Sequence, residues 1–204
     1  MNIHLYLQTM RTRDESKENA IRENAIEMIV NDGFDGLSMQ KLAKASGISP
    51  ATIYIYFKNR EDMLNKVYMY VQKTFFEVAL DGFNPDLSFE TGLWMQWKNR
   101  LKFINEYPKY FRFQEQFRNS PLINSENVNV AEFKLSMRRF VKNAIMREEI
   151  KRMEPEIFWS VAYGTFYTLV KFHINEKNIM GNNFKLTEPK LKQAFDMVVA
   201  ALRP

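Results

Sequence analysis

The sequence predicts an all-α protein of about nine helices, and three observations favour this class. Apolar residues recur at helical spacing in long segments, and no segment alternates with the two-residue period of a strand. Glycine and proline number only seven each among 204 residues, which is sparse for a turn-rich β-sandwich but typical of long helices. The 46% apolar and 26% charged residues indicate a folded chain rather than a disordered one.

The first third of the chain carries clear helix boundaries. Gly33 is a plausible C-terminal stop for the first helix. Ser38 has a side chain that can cap a helix N-terminus, as does Asn59 with Asp62 three residues on. Ser49-Pro50 combines an N-cap residue with a first-turn proline. The predicted helices span residues 14–31, 39–45, 50–57 and 59–80.

The rest of the chain also reads as helical. Helices are predicted over residues 88–106, 108–118, 126–152, 154–176 and 187–202, with loops at 81–87, 119–125 and 177–186. The longest apolar stretch, residues 157–170, is shorter than the roughly 20 residues that a bilayer-spanning helix needs. We therefore expect no membrane partner.

Composition excludes several kinds of catalytic site. The chain has no cysteine and two histidines, His4 and His173, so disulfides, cysteine nucleophiles and multi-histidine metal sites are excluded. His173 is either a hydrogen-bonded core residue or a ligand contact. No G-x-S-x-G, P-loop or dinucleotide fingerprint occurs. We expect no enzyme activity, no metal and no cofactor, and a cytoplasmic location.

Residues 38–57 have the pattern of a helix-turn-helix, in which two short helices flank a turn that contains a glycine. Ala43 is small enough for the helices to cross closely, and Gly47 can adopt the positive φ that the turn needs. Ser49 opens the second helix and leaves its first amides available to a phosphate. The predicted buried face consists of Leu42, Ile48, Ile53 and Phe57.

Charge is concentrated on this motif. The net charge is +5, yet residues 1–66 contain nine basic and nine acidic side chains. Residues 38–60 carry four basic side chains (Lys41, Lys44, Lys58 and Arg60) and no acidic one. A local basic patch of this kind favours binding to DNA phosphates. The alternative is that the two helices are a packing unit without a nucleic-acid partner.

The segment AIEMIVNDGFDGLSMQKLAKASGISPATIYIYFKNREDMLNKV (residues 25–67) supplies a specific resemblance. Residues 17–66 resemble the N-terminal domain of the tetracycline-repressor-like (TetR) family of bacterial transcription regulators. The resemblance implies a homodimer that binds a palindromic double-stranded operator, usually as a repressor, and a small-molecule effector that weakens DNA binding. Beyond residue 80 the chain matches the family only in length and helical pattern.

The resemblance also implies roles for individual residues. Tyr54 and Tyr56 correspond to positions that touch phosphates or bases, and Tyr56 stands where the family often has histidine. Arg60 stands where the family usually has lysine, and its fork suits a phosphate. Ala51 and Ile55 offer apolar contact to thymine methyl groups. The predicted DNA-binding residues are Ser38, Gln40, Lys41, Lys44, Ser49, Pro50, Ala51, Thr52, Tyr54, Ile55, Tyr56, Lys58 and Arg60.

Three segments are expected along the chain. Residues 1–13 form an N-terminal extension, 14–60 the helix-turn-helix DNA-binding domain, and 61–204 a helical ligand-binding and dimerisation domain. Residues 1–9 are either a disordered tail or an arm that contacts DNA.

Aromatic residues are dense after residue 93 and form either a ligand pocket or plain core. The hypothesis is a hydrophobic or aromatic effector with no charged group pointing inward, and Lys98, Arg100 and Lys102 are expected at the surface. The candidate ligand-binding residues are Trp94, Trp97, Phe103, Tyr107, Phe111, Phe117, Phe133, Met137, Phe140, Tyr163 and Tyr167.

The helix over residues 155–176 is apolar almost all round, so it must be covered on both sides. With the last helix it is expected to form a four-helix interface between two subunits, through Phe158, Ala162, Gly164, Phe166, Phe195, Val198 and Leu202. The main alternative function is a helical small-molecule-binding protein that does not bind DNA.

Overall fold

The computed structural model describes residues 3–118 and 131–204, with side chains from residue 15 onward. The predicted loop 119–125, the first turn of the helix predicted from residue 126, and the side chains of the N-terminal extension lie outside the described residues. Within the described ranges every regular element is helical, apart from one isolated bridge between Lys177 and Asn183. The predicted all-α class is confirmed. Among the described residues, no helix has the length and apolarity to cross a membrane.

The first four helices follow the predicted boundaries except at the N-terminus. They are α1 (Ile3–Gly36), α2 (Met39–Ala45), α3 (Pro50–Tyr56) and α4 (Arg60–Ala79). α1 begins at Ile3 rather than at residue 14, so most of the predicted extension is helical. The predicted stop is a kink in the last turn of α1, where Gly33 has φ 71°.

The remaining helices are α5 (Phe89–Glu106), α6 (Pro108–Arg118), α7 (Ala131–Met146), α8 (Pro155–Trp159), α9 (Thr165–Ile174) and α10 (Glu188–Leu202). A π-helical turn, Ser160–Gly164, joins α8 to α9 without leaving helical backbone angles. If these three pieces are counted as one helix, the described residues contain the nine helices that the sequence predicts.

The end of α7 differs from the prediction. The sequence pattern extends this helix to residue 152, but α7 ends at Met146. Glu148 adopts a left-handed backbone with φ 56°, and the Glu149 amide donates to the Ala144 carbonyl at 2.9 Å. The chain then turns towards α10, where the Lys151 amide donates to the Leu202 carbonyl at 2.9 Å. Where the sequence predicts the last turn of α7, the chain instead makes a backbone hydrogen bond to α10.

The described residues divide into two compact units, and the first contains residues 3–74 and 106–118. In this unit α6 packs along α1. The ring of Phe117 lies 4.8 Å from that of Phe34 on α1 and 5.0 Å from that of Tyr68 on α4. The Tyr110 hydroxyl donates to the Glu23 carboxylate. α6 is therefore part of the same compact unit as the helix-turn-helix, although the sequence prediction places it in the C-terminal domain.

The second unit contains residues 75–105 and 131–204, so the units do not follow the predicted division at residue 60. Its core is built around Trp97 on α5. The Trp97 ring lies 5.4 Å from the ring of Phe166 and 5.4 Å from that of Phe195. The indole Nε1 donates at 2.9 Å to the carbonyl of Ala162, which lies in the π-helical turn.

This packing corrects the predicted dimer interface. Six of the seven candidate residues are buried within the single chain, with at most 4% exposure each: Phe158, Ala162, Phe166, Phe195, Val198 and Leu202. They cannot touch a second subunit directly, because α5 and the neighbouring helices of the same chain already enclose their side chains. Gly164 differs, because no heavy atom lies within 4 Å of the position that a Cβ would take there.

We predict that Phe195→Ala lowers the free energy of unfolding by about 3–5 kcal/mol, because it removes a buried ring and leaves a cavity. Urea denaturation followed by circular dichroism measures this loss. The control is Leu135→Ala, because Leu135 is 64% exposed and its truncation should change stability by less than about 0.5 kcal/mol. Equal losses in both variants would contradict the burial of Phe195.

Candidate functional site

The turn between α2 and α3 fixes the geometry of the candidate site. Gly47 has φ 66°, a left-handed conformation that favours glycine. The Ile48 amide donates to the Ala43 carbonyl at 3.0 Å, which closes the turn onto the end of α2. Ala43 and Leu42 are fully buried, so the two helices cross closely, as predicted.

Both helices of the motif start with a serine cap. The Ser38 hydroxyl oxygen accepts the Lys41 amide at 3.2 Å, and the Ser49 hydroxyl oxygen accepts the Thr52 amide at 3.1 Å. The Ser49 and Thr52 hydroxyls also lie 2.8 Å apart. Pro50 occupies the first turn of α3, where its missing amide leaves no donor unpaired. The start of α3 is therefore ordered without help from another segment.

α3 has one buried face and one bare face. Ile53 and the capping residue Phe57 are enclosed, with 0% and 1% exposure. Ile55 and Tyr54 are 78% and 54% exposed, and the remaining predicted contact residues of α3 are exposed or half-buried: Ser49, Pro50, Ala51, Thr52 and Tyr56. A strongly exposed isoleucine on a short helix is costly in water unless it meets an apolar surface.

Exposed cations lie in the same segment. Lys41 and Lys44 on α2 and Lys58 after α3 all have exposed side chains, as do Ser38 and Gln40 at the start of α2. The structure therefore leaves these five predicted backbone-contacting residues accessible.

Arg60 differs from the prediction. It is half-buried, and its Nε donates to the Leu37 carbonyl at 3.3 Å while Nη2 donates to the Phe34 carbonyl. These carbonyls close the end of α1 and the turn into α2. The contacts occupy the fork that the sequence assigns to a phosphate, so the structural role of Arg60 is to tie α4 to the α1–α2 turn.

The start of α4 is fixed by a reciprocal cap, as predicted from Asn59 and Asp62. The Asn59 Oδ1 atom accepts the Asp62 amide at 2.8 Å, and the Asp62 carboxylate accepts the Lys58 amide at 2.9 Å. The Lys66 ammonium lies 2.9 Å from the same carboxylate. Burial opposes ionisation of Asp62, but the Lys58 amide and the Lys66 charge outweigh it and lower the pKa of Asp62. This acid is therefore ionised and neutralised by Lys66.

The predicted ligand-binding residues are divided between the two units. Tyr107, Phe111 and Phe117 belong to the first unit, and the others belong to the second. Within the second unit five of them are buried core, namely Trp97, Phe103, Met137, Phe140 and Tyr163, whereas Trp94, Phe133 and Tyr167 are half-buried. Much of the aromatic density therefore packs the core, which the sequence left as an open alternative.

A groove of about 930 Å³ runs between α7 and residues 150–159 in the second unit. Phe133 and Met137 from the predicted set line it, together with Trp159 and Phe158. The groove wall also carries one acidic residue, Glu156, and five basic ones: Lys134, Arg138, Lys142, Lys151 and Arg152. An apolar floor with a basic surround suits a ligand that is apolar but negatively charged.

Arg100 is the clearest error of the sequence prediction in this unit. It was expected at the surface, yet it is 1% exposed. The sequence does contain a signal for its burial. Arg100 lies on the same helical face as the apolar residues Leu93, Trp97 and Phe103. That face is the buried face of α5.

His173 has a structural contact. Its Nδ1 atom accepts the Leu186 amide at 3.4 Å, which ties α9 to the segment before α10. In the part of the chain that the structure describes, no three side chains of the metal-binding types come together as a metal site.

Comparison with known proteins agrees with this geometry. Residues 21–67 match the tetR family of bacterial regulatory proteins. An uncharacterized HTH-type transcriptional regulator of Haemophilus influenzae is 30% identical over 94 residues, which cover 46% of this chain and half of that protein's length.

Solved structures match over more of the chain. A TetR family transcription regulator from Marinobacter aquaeolei has a TM-score of 0.76 and 28% identity, covering 94% of this chain and 98% of that one. A TetR-family transcriptional regulator from Haemophilus influenzae has a TM-score of 0.75 and 21% identity, covering 94% of this chain and 99% of that one.

The capped helix-turn-helix with its bare outer face has the geometry of a DNA-binding domain. Residues 21–67 are similar to the tetR family of bacterial regulatory proteins, and the chain shares the fold of a TetR family transcription regulator of known structure.

We predict that Arg60→Met lowers the free energy of unfolding by about 1–3 kcal/mol, because the carbonyls of Phe34 and Leu37 lose a charged donor. Chemical denaturation measures the loss. Lys58→Met is the matched control, since the Lys58 side chain is exposed, and it should leave stability unchanged. Equal stability of the Arg60 variant and the native protein would contradict the assigned role.

Proposed function

We propose that the protein is a ligand-responsive repressor that binds a palindromic operator as a homodimer and leaves it when a small effector binds. The observation that carries the proposal is the bare face of α3. The outer face of α3 carries no large polar group at Ser49, Ala51 or Ile55. Base recognition by these residues therefore depends on apolar contacts, such as contacts with thymine methyl groups. The exposed lysines around α3 supply the contacts to phosphates.

Salt dependence and Lys44 test the phosphate contacts. The logarithm of the affinity for DNA flanking the protein's own gene should fall linearly with the logarithm of salt concentration, because bound lysines release counterions. Lys44→Ala should weaken specific and random DNA equally and reduce the slope by about 1.8, because each of the two subunits loses one phosphate contact worth about 0.9. Fluorescence anisotropy titrations measure both. Unchanged affinity and slope would remove Lys44 from the interface.

Ile55 is expected to carry sequence preference instead. Ile55→Ala should weaken binding to the operator about 30-fold, since roughly 1 kcal/mol of apolar contact is lost in each of the two half-sites. Its affinity for random DNA should stay the same. Competition titrations with both DNAs measure the difference, and Lys44→Ala is the matched comparison. Equal weakening on both DNAs would show that Ile55 does not read bases.

Dimerisation is assigned to the outward face of α8, α9 and α10. Trp159 and Met197 are 41% and 69% exposed, and the open side of Gly164 allows a partner backbone to approach closely. An interface at these exposed positions does not involve the buried residues of the same helices, which stay in the core of the subunit. Two-fold symmetry then places the two α3 helices on half-sites one helical turn, or a multiple, apart.

We expect Met197→Glu to give monomers at micromolar concentration, because a charge would be buried between two subunits. Met180→Glu is the matched control, since Met180 is 82% exposed in the loop before α10, and it should remain dimeric. Sedimentation velocity distinguishes the two. A dimeric Met197 variant, or a monomeric native protein, would contradict the assigned face.

The effector signal is proposed to travel through α4. This helix has 20 residues and is therefore about 30 Å long. Its last turns carry Phe75 and Phe76, whose rings lie 6.2 and 4.5 Å from the ring of Phe133. Its first residue, Arg60, holds the α1–α2 turn. A ligand that displaces Phe133 therefore acts on the helix that also positions the DNA-binding motif, and DNA must weaken ligand binding by the same factor.

A further inference from the structure

Arg100 is a buried cation without an acidic partner. Its side chain is 1% exposed, and among the residues that the structure describes no carboxylate lies within ion-pair distance of it. Charges of this kind cost several kcal/mol to remove from water unless they are compensated. Within the described residues, the charge of Arg100 is therefore not neutralised.

The neighbours of Arg100 compensate the charge only in part. The guanidinium carbon lies 4.6, 5.5 and 5.9 Å from the ring centres of Tyr163, Phe75 and Phe133. Such cation–π contacts attract the charge but do not neutralise it. Nη1 donates to the Gln96 Oε1 atom. None of these groups carries a negative charge.

Three buried polar atoms at and beside this guanidinium have no hydrogen-bond partner among the residues that the structure describes. They are Nε of Arg100, Nε2 of Gln96 and the hydroxyl oxygen of Tyr163. Burial raises the pKa of Tyr163 to about 12 against the opposing charge of Arg100, so the hydroxyl keeps its proton and is a donor. Each buried donor left unpaired destabilises the fold, because it has lost its hydrogen bond to water without gaining another.

A buried donor close to Arg100 in sequence does have a hydrogen-bond partner. One turn from Gln96 and Arg100, the Trp97 indole donates to the Ala162 carbonyl at 2.9 Å. Among the described residues of the second unit, the buried unpaired donors are confined to the surroundings of this one cation, while the first unit has another at Arg22 Nε. What this cluster lacks is an acceptor with a negative charge.

The groove beside α7 offers a route to the cluster. Phe133 lines the groove and also faces the Arg100 guanidinium. Phe158, another groove residue, has its ring centre 6.3 Å from that of Tyr163. A rotation of the half-buried Phe133 ring would open the cluster to a ligand attracted by the five basic residues of the groove.

We propose that Arg100, Gln96 and Tyr163 bind the carboxylate of a small organic acid whose apolar body lies against the surrounding rings. The guanidinium fork matches a carboxylate geometrically, and the amide and the hydroxyl supply the remaining donors. This deepens the proposed function, on which it rests, because the acid is then the effector. It also replaces the neutral hydrophobic effector that the sequence alone favours.

The test compares acids with their neutral amides, so that the apolar bodies are matched. Acetate, benzoate and decanoate are each titrated against acetamide, benzamide and decanamide at constant ionic strength, by calorimetry or thermal shift on the full chain without DNA. At least one acid should bind the native protein about tenfold or more tightly than its amide, as expected for a charge-assisted pair. No preference for any of the three acids would overturn the proposal.

Variants of Arg100 test whether the preference for acids over amides arises at this residue. Arg100→Met should lose the preference for the acid, and Arg100→Lys should weaken it about tenfold because lysine keeps the charge but lacks the fork. Lys102→Met, which removes an exposed cation from the same helix, should retain the native preference. An acid preference that survives in Arg100→Met, or disappears in Lys102→Met, would overturn the assignment.

The ligand-free Arg100→Met variant gives a second readout. Replacing a buried, unpaired cation by an apolar side chain of similar shape should leave the melting temperature equal or higher. A lower melting temperature would mean that the cation stabilises the fold, contrary to the proposal. The operator titration is separate: if acids bind through Arg100 but operator affinity does not change, the effector mechanism fails while the anion site stands.

Discussion

The position of the DNA-reading surface depends on one backbone conformation, the left-handed turn at Gly47. With φ 66°, this residue lets the Ile48 amide close onto the Ala43 carbonyl and sends α3 across α2. Burial of Ile53 then fixes the rotation of α3, so that Ile55 faces outward. A side chain at residue 47 would strain the turn and change the direction of a helix that has only two turns to hold itself in place.

Other interactions transmit this fixed geometry to the rest of the chain. Arg60 ties α4 to the carbonyls that end α1, and Asp62 ties α4 to the residue that follows α3. α4 therefore begins in contact with both sides of the motif. Its far end carries Phe75, a ring of the Arg100 cluster. One helix thus runs from the helix-turn-helix to a cluster of unpaired buried donors, and the proposed effector mechanism depends on this connection.

The sequence predicts the motif well because its determinants are local. The serine caps, Gly47 and the Asn59–Asp62 cap each act within a few residues, and all lie where predicted. Arg100 was misplaced because charged residues are rarely buried, although its helical spacing matches the apolar face of α5. The interface residues such as Phe166 were misassigned because a helix apolar all round does not reveal which face meets its own core. The packing of α6 on α1 depends on distant contacts that no local pattern records.

Selection of bound sequences from a random pool of duplex DNA tests the central claim most directly. If α3 reads DNA as described and two copies act together, the enriched sequences form an inverted repeat whose half-site centres lie one helical turn or a multiple apart, about 34–36 Å for one turn. A variant with Gly47 replaced by valine should then select nothing. Absence of enrichment with the native protein, or enrichment of a single asymmetric motif, would contradict the account.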